Sequence, residues 1–149
     1  MRWRWIAVYF ALVAALAGCS RPGQRDVVVI SLDTLRADHC SLYGYARETS
    51  PWMDDMARTG VRFDRVLAQS SWTKSSMASL WTGLYPVRTG VLRSSHATAE
   101  EARLPAEILS EAGFRTAGIY RNGWVAPNFG FAQGFELYFR PRPSPVPPS

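Results

Sequence analysis

The chain has 149 residues with 17 basic and 12 acidic side chains, a net charge of +5. This length is enough for one modest hydrophobic core. Lys74 is the only lysine, and the basic residues form no cluster with interleaved aromatic residues. The positive charge therefore does not indicate nucleic-acid binding, and no nucleic-acid partner is expected.

The N-terminal segment is typical of a signal peptide. Arg2 and Arg4 give it a positive start, and residues 6–17 form an uncharged apolar run. The run is too short to cross a bilayer as a helix but has the length of a signal-peptide core. We therefore predict a signal peptide over residues 1–18. Its removal leaves 15 basic against 12 acidic side chains, a net charge of +3.

Cys19 directly follows Leu-Ala-Gly at positions 16–18. This sequence resembles the lipobox of bacterial lipoproteins, in which the cysteine receives diacylglycerol and becomes the mature N-terminus. An ordinary secretory signal with an incidental Cys19 is the alternative. By the same resemblance, Ser20 implies sorting to the outer membrane. We expect an exported protein, lipid-anchored through Cys19 to the outer membrane and facing the periplasm, with residues 19–25 as a linker.

The first element of the body is a nearly unbroken β-branched run at residues 27–32, which reads VVVISL. Such a run indicates a strand buried on both faces, as in a parallel sheet covered by helices. Asp33 follows at the carboxyl end of this predicted strand, where open α/β sheets bind their ligands. The alternating residues 61–66 predict a second strand with one solvated face.

Capping and spacing signals predict three helices. They extend from Pro51 to a stop at Gly60, over residues 74–81, and over residues 104–112. Strands are predicted within residues 114–120 and 135–139. Because strands and helices alternate, we expect an α/β fold with a largely parallel sheet. Residues 140–149 are half proline and predict an extended tail.

Ordered motifs connect these elements. Residues 33–39 read DTLRADH, residues 72–86 read WTKSSMASLWTGLYP, and residues 111–117 read EAGFRTA. Together they resemble the opening of the sulfatases, in the alkaline phosphatase superfamily, over essentially the whole body. The resemblance implies that residues 26–139 are the N-terminal part of a sulfatase-like domain. The implied fold is a three-layer α/β sandwich with a mostly parallel sheet.

Thr73 stands in the nucleophile position of this resemblance. The sulfatase motif is Cys or Ser, any residue, Pro, Ser and Arg, whereas here Ser75 replaces the proline and Met77 the arginine. Threonine does not yield the formylglycine aldehyde, so no formylglycine is expected. A threonine here is similar to the nucleotide pyrophosphatase, phosphonate hydrolase and phosphoethanolamine transferase branches, in which the hydroxyl is the nucleophile. The alternative is that Thr73 only caps a helix.

The resemblance also implies ligands for a metal and a substrate. Asp33 and Thr73 are expected to bind a divalent cation (Ca, Mg, Mn or Zn), although Thr34 replaces a second family aspartate. Arg121 stands in the slot of a substrate-binding lysine. Asn122 is a candidate donor to an oxyanion, or else a loop asparagine that shapes a turn.

The implied function is metal-dependent hydrolysis of sulfate or phosphate esters carried by small molecules, lipids or glycans. The family's remaining metal ligands come from a later part of its domain, so we expect this chain alone to be inactive, as a product of truncation or frameshift. Two alternatives remain open. One is a non-catalytic, lipid-anchored binding or structural remnant, and the other is part of a phosphoethanolamine-type transferase.

Overall fold

The computed structural model describes residues 25–142, which belong to two units whose boundary in the chain lies between Thr34 and Leu35. The predicted signal peptide, Cys19 and the end of the proline-rich tail lie outside the described residues. Among residues 25–142, no helix is long and apolar enough to cross a membrane.

In the first unit, the predicted buried strand at residues 27–32 is wrong. These residues have no regular secondary structure, and their large apolar side chains are exposed, from 58% at Val27 to 79% at Val28. A strand needs neighbouring strands to satisfy its backbone and apolar layers to cover its faces. The described residues of this unit provide neither. The segment ends in a turn at which Thr34 adopts a left-handed conformation, with φ of 63°.

Four α-helices form in the described residues of the second unit, and three of them confirm the predicted helices. A proline occupies the first turn of the helices that begin at Pro51 and Pro105, where its missing N–H costs no hydrogen bond. Gly83 ends another helix in the left-handed conformation, with φ of 69°. The helices are α1 (Pro51–Ala57), α2 (Thr73–Thr82), α3 (Pro86–Thr89) and α4 (Pro105–Glu111), with 3-10 turns at Ala37–His39, Ser41–Tyr43, Gly123–Val125 and Pro127–Phe129.

As far as residue 142, two short parallel strands form the sheet of the second unit. They are β1 (Ala117–Ile119) and β2 (Leu137–Phe139), with Gly118 opposite Tyr138. Both predicted strands in this region are confirmed, although they are shorter than expected. The strand predicted at residues 61–66 is wrong, since this segment is irregular and exposed and pairs with no strand in the described residues. Helices with a parallel strand pair are compatible with an α/β fold.

The core of this unit joins α2 to the loops around it. Ala78, Val91 and Phe131 form the buried cluster, and Tyr138 packs against it. The hydroxyl of Tyr138 donates to the carbonyl oxygen of Val125 at 2.6 Å. Desolvation, assisted by the neighbouring Tyr120, raises the pKa of Tyr138 to about 12. This packing holds the loop after β1 against the face of α2.

Candidate functional site

Thr73 is the first residue of α2 and is half-buried. The N-cap position belongs instead to Trp72, which has extended dihedral angles and whose carbonyl accepts from the Ser76 N–H at 3.0 Å. The alternative assignment of Thr73 as the N-cap is therefore wrong. The first turn of a helix presents backbone N–H groups and the positive end of the helix dipole. Thr73 thus lies where an anionic group is stabilised.

Asn122 lies in the loop that follows β1. Its Oδ1 accepts from the Trp124 N–H at 2.9 Å and caps the 3-10 turn at Gly123–Val125. The turn-shaping role predicted for Asn122 is therefore confirmed. The neighbouring Arg121 is exposed, and its guanidinium donates to the carbonyl of Pro141 at 2.9 Å.

Aromatic side chains connect the start of α2 to this loop. The rings of Trp72 and Trp124 meet edge to face, with centroids 5.5 Å apart and an interplanar angle of 77°. Trp124 also contacts Phe129, with centroids 5.9 Å apart. A pocket of about 270 Å³ opens beside them, lined by Asn122, Gly123, Trp124 and Phe129. The structure thus brings the loop that carries Asn122 to the residue that precedes Thr73.

Lys74 is a residue of this site that the sequence analysis missed. Its side chain is completely buried, and its Nζ donates to the carbonyls of Ser94 at 2.5 Å and His96 at 2.6 Å. Burial lowers the pKa of this ammonium group below its ordinary value of 10.5. Burial therefore disfavours the charged form, and this cost to folding decreases as the pH rises from the lowered pKa towards 10.5. The available sequence signal was weak: a single lysine, two residues after a tryptophan, in a chain otherwise rich in arginine.

Asp33 lies in the turn that ends the first unit, whereas Thr73, Arg121 and Asn122 belong to the second unit. A divalent cation requires several converging oxygen or nitrogen ligands. Residues 25–142 contain no group of three or more His, Cys, Asp or Glu side chains able to hold a metal ion. Asp33 and Thr73 are thus oxygen donors of the expected chemistry but do not make up a complete ligand set.

The described residues are compatible with an α/β fold and place a threonine at a helix N-terminus, near a loop that carries asparagine. The profile of the sulfatase family matches residues 25–142. The chain therefore belongs to the sulfatase family, which confirms the resemblance inferred from the ordered motifs. No solved structure matches the chain.

Curated relatives include three sulfatases. The N-acetylgalactosamine-6-O-sulfatase of Bacteroides thetaiotaomicron is 29% identical over 85% of this chain and 30% of its own length. Human arylsulfatase A is 32% identical over 89% of this chain and 27% of its own length. Human steryl-sulfatase is 29% identical over 80% of this chain and 22% of its own length. The chain thus spans less than a third of the length of these relatives.

Proposed function

We propose that this chain supplies the nucleophile-bearing part of a hydrolase of sulfate or phosphate esters, with Thr73 as the nucleophile. We propose that Thr73 lies in the N-terminal part of a three-layer, alkaline phosphatase-like sandwich. The observation that carries the proposal is the position of Thr73. Within a chain of the sulfatase family, it begins α2 and lies where N–H groups favour an anion.

The proposed reaction has two steps. The Oγ of Thr73 attacks the sulfur or phosphorus atom and forms a covalent ester with it. The bond to the leaving oxygen breaks, and the alcohol departs with a proton. Water then cleaves the threonine ester, which releases sulfate or phosphate and restores the hydroxyl. The N–H groups of the first turn of α2 stabilise the negative charge that develops on the transferred group.

A free threonine hydroxyl is a weak nucleophile and needs activation. A divalent cation, when bound, would supply that activation by lowering the pKa of an oxygen ligand. Asp33 and Thr73 are the proposed ligands from this chain, and the remaining ligands must come from outside the described residues. We therefore propose that the isolated 149-residue chain is inactive.

The relatives suggest the class of substrate. Their names specify N-acetylgalactosamine 6-sulfate, aryl sulfates and steryl sulfates, so a small-molecule, glycan or lipid ester is proposed here. Threonine in place of a formylglycine precursor extends the proposal to phosphate esters and to transfer of a phosphoethanolamine group. Arg121 and Asn122 are the proposed contacts to the anionic group of the ester.

The test uses the native protein, by which we mean the protein isolated from the cells that make it, with any polypeptide that continues or accompanies this chain. It is assayed with nitrophenyl sulfate and nitrophenyl phosphate, before and after treatment with EDTA. We expect hydrolysis of one ester, loss of at least about 90% of it after chelation and recovery on addition of a divalent cation. The isolated chain is the matched control and is expected to release no nitrophenol.

Two outcomes would contradict this proposal. Hydrolysis that persists after complete chelation would contradict the proposed dependence on a metal ion. A native protein that is folded and binds divalent cations but cleaves neither ester would favour the non-catalytic binding or structural protein instead.

Lipid anchoring at Cys19 remains a proposal because this residue lies outside the described residues. It rests on the Leu-Ala-Gly-Cys sequence at positions 16–19. Changing Cys19 to alanine is expected to move the native protein from the membrane fraction to the soluble fraction after cell lysis. Cys40→Ala is the matched control, and a Cys19→Ala protein that stays in the membrane fraction would refute the anchor.

A further inference from the structure

Lys74 carries a buried positive charge one residue after the proposed nucleophile. Ion pairing does not explain its burial, because Lys74 forms no ion pair in the described part of the chain. Burying an ammonium group without any partner is strongly unfavourable. The charge is compensated instead by two backbone carbonyls, those of Ser94 and His96, both within 2.6 Å of Nζ.

Aromatic rings complete the surroundings of the ammonium. Nζ lies 3.6 Å from the ring centroid of Phe129 and 5.3 Å from the rings of both Trp72 and Trp124. Cations are attracted to the negative face of aromatic rings at such distances, and the attraction increases when water is excluded. The Lys74 ammonium therefore donates to two backbone carbonyls and lies over three aromatic rings.

The partners of Lys74 come from three separate segments. Trp72 precedes the proposed nucleophile, Ser94 and His96 belong to the loop before α4, and Trp124 and Phe129 belong to the loop that begins at Asn122. Because one buried group contacts all three, a movement of any of them breaks a hydrogen bond or a ring contact of a desolvated charge. Lys74 therefore couples the start of α2 to the Asn122 loop.

We propose that Lys74 is a positioning residue, which fixes the hydroxyl of Thr73 relative to Asn122 by tying the start of α2, the loop at residues 94–96 and the loop at residues 122–129 to one ammonium group. This inference rests on the proposed function for its effect on turnover. The coupling of the three segments through Lys74 is independent of turnover and is measured without substrate.

The first experiment compares Lys74→Met with wild type by amide hydrogen exchange on the 149-residue chain. Methionine keeps the apolar stem but removes the charge and the donors. Residues 72–76, 94–96 and 122–129 are expected to lose protection together, by at least about tenfold, whereas α4 keeps its protection. Arg93→Met, which removes an exposed charge from the neighbouring loop, is the matched control and should change none of them. An equal loss of amide protection throughout the unit, or a loss in one segment only, would contradict the coupling of the three segments through Lys74.

A second measurement needs no variant and is therefore safe from a folding failure. Lys74 is the only lysine, so acylation of the peptide that contains it, measured by mass spectrometry apart from acylation of the α-amino group, reports on its accessibility. In the wild-type chain its acylation is expected to be at least about tenfold slower than in urea. Acylation at the same rate in the folded and unfolded chain would contradict the burial of the Lys74 ammonium group.

The kinetic experiment separates positioning from stability. In the native protein, Lys74→Met is expected to lower kcat per folded molecule by about 100-fold with little change in KM, since misplacement by about 1 Å has effects of this size. Lys74→Arg keeps the charge and the donors and should recover part of this loss. An unchanged kcat per folded molecule would overturn the positioning role. A wild-type protein without turnover would instead contradict the proposed function. The exchange experiment would still test whether Lys74 couples the three segments.

Discussion

Replacing Thr73 by alanine is expected to lower the kcat of the native protein for its ester substrate by at least about 10³-fold, the scale seen when a nucleophilic hydroxyl is removed. The substitution removes the only oxygen at the first position of α2 that is able to form the covalent ester. The helix should remain, because Thr73 is not its N-cap and alanine has the highest helix propensity. The measurement is steady-state kinetics at saturating substrate.

Two matched variants define what the Thr73 result means. Thr73→Ser keeps the hydroxyl and should retain far more activity than Thr73→Ala. Ser71→Ala removes an exposed hydroxyl two residues before Thr73 and should leave kcat unchanged. A Thr73→Ala protein with more than about a tenth of the wild-type kcat would show that another group attacks the ester.

Changing Gly134 to alanine is expected to lower the free energy of unfolding by about 3 kcal/mol, through overpacking and left-handed strain together. Gly134 has φ of +77°, and an added Cβ would lie 2.6 Å from the carbonyl carbon of Ala106 and closer still to the backbone nitrogen of Glu107. These backbone atoms belong to the first turn of α4 and have no flexible end that moves aside. The loss is a large fraction of the stability of a small domain and is measured by urea denaturation.

Gly113→Ala is the control that isolates the steric part of this effect. Gly113 has φ of +87°, but an added Cβ would find nothing within 4 Å. Its substitution should therefore cost only the left-handed strain, about 1 kcal/mol. Equal losses in the two variants would show that Gly134 does not pack against α4 as described.

The helices follow from the sequence because their signals are local. Pro51 and Pro105 mark first turns and Gly83 marks an end, so the boundaries depend on residues within a few positions. The strand at residues 27–32 did not follow, because a β-branched run becomes a strand only when other segments pair with it and cover it. The pairing of β1 with β2 joins residues 20 positions apart, and short-range patterns indicate only that such partners are compatible.

In the candidate site, too, features with local sequence signals were predicted and those that depend on long-range packing were not. Thr73 was predicted as a site residue because it stands in a recognisable motif, and the turn made by Asn122 was expected from its residue type. The role of Lys74 was not found, since its hydrogen-bond partners lie 20 and 22 positions along the chain and the rings of Trp124 and Phe129 lie farther still. A lysine is usually exposed, so only the packing of α2 against these loops reveals its burial.

The covalent step at Thr73 is tested most directly by mass spectrometry of the acid-quenched native protein during turnover of nitrophenyl sulfate or nitrophenyl phosphate. If Thr73 is the nucleophile, the peptide containing Thr73 is expected to gain the mass of one sulfuryl or phosphoryl group. Fragmentation should locate this group on Thr73, and the Thr73→Ala substitution should abolish it. An enzyme that turns over the ester while its trapped group lies on a different residue, or while the Thr73 peptide stays unmodified at every quench time, would contradict this role of Thr73.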